Sequence, residues 1–159
     1  TVEVLDTDAE GRLILADALS YASKYKPKAV IDLATLTGAC IIALGHAAAG
    51  MLGTDDKLKN RLKTAGQKTA EKVWELPLWE EYEELIKSNI ADVKNTGGRP
   101  AGTITAACFL KMFVDNYPWV HLDIAGMDLE EKGKAYIPKG GSGYGVRLLI
   151  QMLRDWGGR

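Results

Sequence analysis

The sequence predicts an α/β fold in which a largely parallel or mixed sheet is flanked by helices. Short runs rich in apolar and β-branched residues, at positions 29–34 and 119–124, alternate with longer segments of helical periodicity such as residues 12–25. No internal repeat and no linker-like stretch divides the chain. We therefore expect one domain, or part of one.

The first part of the chain should form a strand, a helix and a second strand. Residues 1–5 alternate and are partly β-branched, as is typical of a strand end. Residues 12–25 carry an apolar helical stripe, and this helix should end before Pro27 because proline has no N–H to donate. Residues 29–34 (AVIDLA) are nearly all apolar, which predicts a strand buried on both faces. A turn (TLTG) and a short helix at residues 39–44 should follow.

The rest of the chain is predicted from the same patterns, which are apolar runs for strands and helical spacing of apolar residues for helices. Residues 46–53 are small and apolar, so we expect an inner strand or an extended segment. Residues 55–73 are rich in lysine with apolar residues at helical spacing, which indicates a surface helix with Thr54 as its N-cap. The remaining predictions are helices at 79–87, 103–116 and 144–156, a strand at 119–124, and glycine-rich loops at 95–102 and 132–143.

Composition excludes several classes of protein. A chain of 159 residues with 47% apolar and 26% charged residues is ordinary for a globular domain. The two cysteines, Cys40 and Cys108, lie in apolar runs, which argues against a disulfide framework or a cysteine-rich zinc site. No apolar run approaches the roughly 18 residues of a membrane helix, and no secretion signal is recognisable. A formal net charge of −1 gives no general attraction to nucleic acid or anionic lipid.

The segment richest in chemistry is residues 6–12, Asp-Thr-Asp-Ala-Glu-Gly-Arg. If this segment is extended, Asp6, Asp8 and Glu10 point to one side and converge on a hard cation. Arg12 and the first amides of the following helix suit an anion or a developing oxyanion. The simplest alternative is a solvated acidic turn that caps the helix.

A second alternative is a non-catalytic module that binds Ca²⁺ or Mg²⁺ through the loop from Asp6 to Asp17. Asp6, Asp8, Glu10 and Gly11 match the first, third, fifth and sixth positions of an EF-hand loop, and Asp17 matches the twelfth. Asp17 is shorter than the usual bidentate Glu, however, and a strand rather than a helix should precede the loop. The helical stripe also begins directly after Gly11, where an EF-hand loop would still continue.

Four further blocks of sequence follow the acidic segment DTDAEGRLILADAL. They are VIDLATLTGAC at 30–40, GGRPAGTITAACFL at 97–110, WVHLDIAG at 119–126 and GSGYGVRLLIQML at 141–153. Together these blocks resemble, in the same order, those of the leucyl aminopeptidase family of cytosolic aminopeptidases, whose signature reads Asn-Thr-Asp-Ala-Glu-Gly-Arg-Leu. The resemblance covers nearly the whole chain. Asp6 stands where the family has Asn.

The resemblance implies a two-metal aminopeptidase that releases N-terminal amino acids of the leucine type from peptides. It makes Asp8 and Glu10 ligands of two divalent ions, which would be manganese, zinc or magnesium. It makes Arg12 the residue that holds a bicarbonate ion, which serves as general base. These roles agree with the chemistry, because paired ions lower the pKa of a bridging water and a guanidinium presents two donors to a planar oxyanion.

The resemblance also assigns substrate-binding residues. Thr35, Leu36 and Gly38 belong to the TLTG turn that lines the substrate, the last two through their backbone groups, and Ala125 forms a wall of the pocket for the N-terminal side chain. From the residues alone, an ordinary strand-to-helix connection with Thr37 as N-cap explains the turn, and close strand–helix packing explains Ala125 and its neighbour.

The resemblance further implies peptide substrates, a cytoplasmic location and a homohexamer. Some relatives bind DNA, but no basic stripe stands out here, so neither nucleic acid nor a membrane is expected as a partner.

Finally, the resemblance implies that residues 1–159 are the C-terminal part of a single metalloaminopeptidase catalytic domain. The family's other ligands, a lysine and two aspartates, and a second lysine that polarises the scissile carbonyl precede the signature. The upstream half of the domain and an N-terminal domain would then be absent. We expect that this chain alone is inactive, holds no tight dinuclear site, and exposes a sheet edge and apolar surface.

Overall fold

The computed structural model describes residues 1–157 and confirms the α/β class. The strands within this range are β1 (Val2–Glu3), β2 (Val30–Ala34), β3 (Ala49–Gly53), β4 (Val73–Glu75), β5 (Val93–Lys94), β6 (Trp119–Asp123), β7 (Leu129–Glu130) and β8 (Gly140–Gly141). The helices are α1 (Glu10–Ala22), α2 (Gly38–Leu44), α3 (Asp56–Thr69), α4 (Glu80–Glu83), α5 (Gly102–Lys111) and α6 (Val146–Trp156).

The main sheet has four strands in the order β2-β6-β3-β4. β2 pairs with β6 and β3 pairs with β4 in parallel, whereas β6 and β3 are antiparallel. The sheet is therefore mixed, which is one of the two forms that the sequence predicted. Two small sheets, β1-β5 and β7-β8, lie outside it.

Helices cover both faces of the main sheet. Successive side chains of β6 point to opposite faces, and all five residues of this strand are buried. Trp119 packs in one apolar cluster with Leu19 of α1 and Phe109 of α5. Val120 and Leu122 pack in a second cluster, which also contains residues of α3 and α6. β6 is thus the centre of a three-layer arrangement.

The expectation that β2 is buried on both faces is wrong. All five of its residues are only half-buried, because β2 is an edge strand whose one neighbour in the sheet is β6. The N-cap of α3 also differs from the expectation. The Asp55 carboxylate accepts from the Leu58 amide at 2.7 Å, whereas the Thr54 hydroxyl accepts from the Trp119 amide at 3.3 Å.

The surface of the described chain carries several large apolar side chains, including Ile42 at 85% and Ile90 at 83% exposure. None of the helices within residues 1–157 combines the length and the apolar character that crossing a bilayer requires.

Candidate active site

Three of the segments singled out in the sequence meet at one edge of the main sheet. β2 and β6 are parallel neighbours, so the TLTG turn after β2 and residues 124–126 after β6 leave the sheet at the same edge. This edge is where ligands bind in open α/β sheets. The start of α1 lies beside the turn, since a β-carbon built at Gly11 would be 3.5 Å from Leu36 Cδ1.

A buried carboxylate joins the first two segments. Asp123, the last residue of β6, is fully buried. Its Oδ1 accepts from the amides of Leu36 at 3.1 Å, Thr37 at 3.4 Å and Ala125 at 3.3 Å. Its Oδ2 accepts from the Thr37 hydroxyl at 2.6 Å. These hydrogen bonds compensate the cost of burying a charge.

Thr37 is also the N-cap of α2, as expected. Its Oγ1 accepts from the Cys40 amide at 3.1 Å and lies 2.9 Å from the hydroxyl of Thr103 in α5. The turn is therefore fastened to β6, to α2 and to α5 at once.

Arg12 enters the site from the first turns of α1. Its side chain is almost entirely buried, and one terminal nitrogen donates to the Asn95 carbonyl oxygen at 2.8 Å. Its Nε has no hydrogen-bond partner within residues 1–157. Burial lowers the pKa of Arg12, and the negative charges of Asp6 and Asp123 oppose this shift. A charged guanidinium with one free buried donor suits a small oxyanion.

The acidic loop is fastened by Asn95, which is fully buried. Asn95 Oδ1 accepts from the amides of Leu5 at 2.9 Å and Asp6 at 3.3 Å, and its Nδ2 donates to the Asp6 carbonyl oxygen at 2.6 Å. Because its own carbonyl oxygen binds Arg12, this one residue positions both ends of the acidic segment.

The expected convergence of three carboxylates on an extended segment is wrong. Thr7–Ala9 forms a 3₁₀ turn and Glu10 begins α1, so alternate residues do not share one side. The Asp6 side chain turns back and accepts from the Asp8 amide at 3.0 Å. Asp8 and Glu10 are exposed. Across residues 1–157, no group of three His, Cys, Asp or Glu side chains is arranged to hold a metal ion.

The alternative of an EF-hand-like module is also wrong. β1 precedes the acidic segment, and α1 begins at Glu10, so Asp17 lies inside a helix and is exposed. The fifth to ninth positions of an EF-hand loop wrap around the cation, whereas here they already belong to α1.

The residues assigned to substrate lie at the same edge of the sheet. Thr35 and Gly38 are exposed, and Leu36 and Ala125 are half-buried. A β-carbon at Gly38 would meet no atom of residues 1–157 within 4 Å. Ala125 lines a cleft of about 370 Å³, together with His46, Glu71, Tyr144 and Arg147 among others.

The next residue, Gly126, is explained by close packing of the backbone rather than by substrate binding. A β-carbon at Gly126 would lie 2.2 Å from the carbonyl oxygen of Gly45. The His46 ring also contacts this residue, because its Nδ1 lies 2.8 Å from the Gly126 carbonyl oxygen. Close approach between backbones therefore requires glycine at position 126.

Asp123 and Asn95 did not emerge from the sequence as site residues. Asp123 is 87 positions from Leu36, and Asn95 is 90 positions from Leu5. Only the family resemblance could have pointed to them. Asp123 lies within the block WVHLDIAG, and Asn95 lies two residues before the block that begins GGRPAG.

Residues 1–150 match the model of the cytosol aminopeptidase family, catalytic domain. The chain is 63% identical over 155 residues to a probable cytosol aminopeptidase of Syntrophotalea carbinolica, an alignment that covers 98% of this chain and 31% of the relative. It is 60% identical over 154 residues to a protein of the same name from Geobacter sulfurreducens, covering 97% of this chain and 31% of the relative. A third relative of that name, from Chlorobium luteolum, is 61% identical over 158 residues, which cover 98% of this chain and 31% of the relative.

The chain thus spans about a third of the length of the curated relatives it matches. The family model nevertheless covers nearly all of the chain, including the acidic segment, the TLTG turn and the end of β6. The chain belongs to the cytosol aminopeptidase family, within its catalytic domain.

Proposed function

We propose that this chain supplies part of the catalytic centre of a metal-dependent aminopeptidase that releases N-terminal amino acids of the leucine type from peptides. The observation that carries the proposal is the meeting of the acidic segment, the TLTG turn and Ala125 at one edge of the sheet, with Arg12 buried between them. The family membership supports the same reaction.

Asp8 and Glu10 would provide oxygen ligands to a pair of divalent ions. Both carboxylates are exposed and point away from the core, and such oxygens suit manganese, magnesium and zinc alike. The residues of this chain fit only part of such a site, because the described residues hold no group of three ligands. When bound, the ions would lower the pKa of a water nucleophile and polarise the scissile carbonyl.

Arg12 would bind the anion that accepts the proton of this nucleophile. A guanidinium remains protonated at neutral pH, so Arg12 cannot itself act as the base. Its unpartnered buried Nε is free to donate, which fits bicarbonate as a planar acceptor.

Thr35, Leu36 and Gly38 would bind the substrate backbone, and Ala125 would border the side chain of its first residue. No packing within the described part of the chain requires glycine at position 38, so the open space there is available to a ligand. The small side chain of Ala125 leaves room in the cleft of about 370 Å³ that it lines.

We further propose, on the family membership, that residues 1–159 are the C-terminal part of the catalytic domain of a cytoplasmic homohexamer. The names of the relatives support the cytoplasmic location, and the 31% of their length that this chain covers supports its being one part of a longer protein.

The test is hydrolysis of leucine p-nitroanilide by the whole protein that contains this segment, with manganese added. We expect metal-dependent hydrolysis that falls at least about 100-fold in Glu10→Gln, since losing a metal ligand removes the activated water. Glu81→Gln, which changes an exposed acid of α4, serves as the matched control. No hydrolysis by the whole protein, or equal rates for Glu10→Gln and wild type, would overturn the proposal.

The 159-residue chain alone should hydrolyse the same substrate no faster than buffer does, because its described residues supply an incomplete ligand set. Metal-dependent hydrolysis by this chain that Glu10→Ala abolishes would contradict this expectation.

A further inference from the structure

The carboxylate of Asp123 accepts four hydrogen bonds, all from residues at the edge of the sheet where the site lies. Of the four groups that donate to it, three belong to the TLTG turn and one to Ala125, and these are the segments assigned to substrate. Another buried charge near the site, Arg12, is held by Asn95.

We propose that Asp123 is a positioning residue, whose carboxylate sets the backbone of the substrate-binding turn and of Ala125. This proposal rests on the proposed function and adds to it a residue that does not touch the substrate. Asp123 is buried beneath the turn, so it acts through Leu36, Thr37 and Ala125.

The planarity of the peptide bond explains how a buried carboxylate can aim surface groups. In a trans peptide, the carbonyl oxygen points opposite to the N–H of the same peptide unit. The Leu36 and Thr37 amides point inward to Asp123, so the carbonyl oxygens of Thr35 and Leu36 point outward. Two outward carbonyls on neighbouring residues can accept from the amine or amide N–H of a peptide substrate.

The hydroxyl of Thr37 links the turn to Asp123, to Cys40 and to Thr103. Its one proton goes to Asp123 Oδ2 at 2.6 Å, so its oxygen is free to accept from the Cys40 amide and from the Thr103 hydroxyl. An asparagine at position 123 would present either an NH₂ group to this oxygen or an NH₂ group to the three amides. In the first case the Thr37 hydroxyl must turn its proton from position 123 to Thr103, and in the second the amides lose their acceptor.

The first experiment measures the anchoring itself and needs no catalytic activity. Backbone amide hydrogen exchange is compared in the wild-type chain, in Asp123→Asn and in Asp17→Asn, an exposed acid on α1 that serves as the control. In Asp123→Asn we expect the Leu36 and Ala125 amides to exchange at least about tenfold faster, because they lose a charged acceptor. Amides of the β3–β6 pairing, such as Met51 and Leu122, should change by less than about twofold. Unchanged exchange at Leu36 and Ala125 would overturn the proposal.

The second experiment separates positioning from a general loss of structure. In the whole protein, Asp123→Asn and Thr37→Val should raise KM for leucine p-nitroanilide at least about tenfold with a smaller change in kcat, since the turn binds ground state and transition state alike. Thr37→Ser keeps the hydroxyl and should restore the wild-type KM. If Asp123→Asn does not fold, the comparison of Thr37→Val with Thr37→Ser decides, and equal KM values for the two overturn the proposal.

The two proposals can fail separately. If the wild-type protein hydrolyses no leucine substrate, the proposed function fails, while the exchange rates still decide whether Asp123 anchors the turn. If the wild type is active and Asp123→Asn has the same KM and exchange rates, only the role of Asp123 fails.

Discussion

At the scale of single residues, the acidic segment depends on a side chain distant in sequence. Asn95 is fully buried and makes three side-chain hydrogen bonds to the backbone of Leu5 and Asp6. Its carbonyl oxygen holds Arg12 as well. The conformation of the segment that carries Asp8 and Glu10 is therefore set by an amide rather than by the carboxylates themselves.

We predict that Asn95→Ala lowers the free energy of unfolding by about 2 kcal/mol, because buried backbone groups lose their partners. Amides of Leu5 and Asp6 should also lose protection from hydrogen exchange. Asn89→Ala, at an exposed asparagine, should change the stability by less than about 0.5 kcal/mol. Urea unfolding of both variants is the measurement, and equal stabilities would show that Asn95 does not fasten the segment.

At the scale of elements, α3 and β4 are linked by a cluster of charges. Glu75 of β4 accepts from Lys59 at 2.6 Å and from Lys63, both on α3. Hydrogen bonds from Lys59 and then from Lys63 lower the pKa of Glu75, and burial opposes them. The ionised form of Glu75 is therefore stabilised in the folded state.

This cluster predicts a pH dependence of stability with a definite sign. A carboxyl whose pKa is lower in the folded state stabilises the fold above its unfolded pKa, and that contribution disappears as the pH falls through the folded pKa. Glu75→Gln should thus cost about 0.5–1 kcal/mol at about pH 7 and less at about pH 3. Urea unfolding at both pH values is the measurement, and Glu81→Gln, at an exposed acid of α4, is the control. A cost that is equal at the two pH values would contradict the ionic origin.

The elements that the sequence predicted well are those with long, regular patterns. The stripe at residues 12–25 corresponds to α1, the lysine-rich stripe to α3, and residues 119–124 to β6. β4 and β5, with three and two residues, were not predicted because such short strands contain less than two periods of alternation.

The site was predictable where its residues are adjacent in sequence and not where they meet by folding. Thr37 caps α2 as its local sequence indicated. The convergence of Asp6, Asp8 and Glu10 failed because the prediction assumed extended backbone, whereas Asp6 closes a 3₁₀ turn. The partners of Asp123 are fixed by the parallel pairing of β2 with β6, which no local pattern encodes.

At the scale of the whole molecule, the described residues form a well-packed core but supply only part of a metal site. β6 is buried on both faces, and two apolar clusters lie between the main sheet and the helices on either side. By contrast, Asp8 and Glu10 are exposed and gain no third ligand from the described residues. We therefore expect that the core folds without metal and that metal adds little to the stability of this chain.

The prediction is quantitative because a ligand that binds only the folded state stabilises it by RT ln(1 + [L]/Kd). If two exposed carboxylates bind Mn²⁺ with a Kd of about 1 mM, then about 1 mM Mn²⁺ raises the free energy of unfolding by only about 0.4 kcal/mol. A tight site with a Kd of about 1 μM would raise it by about 4 kcal/mol. Urea unfolding with Mn²⁺ and with a chelator distinguishes the two cases, and Asp8→Asn combined with Glu10→Gln is the control. A rise near 4 kcal/mol that this double variant abolishes would mean that the chain completes its metal site unaided.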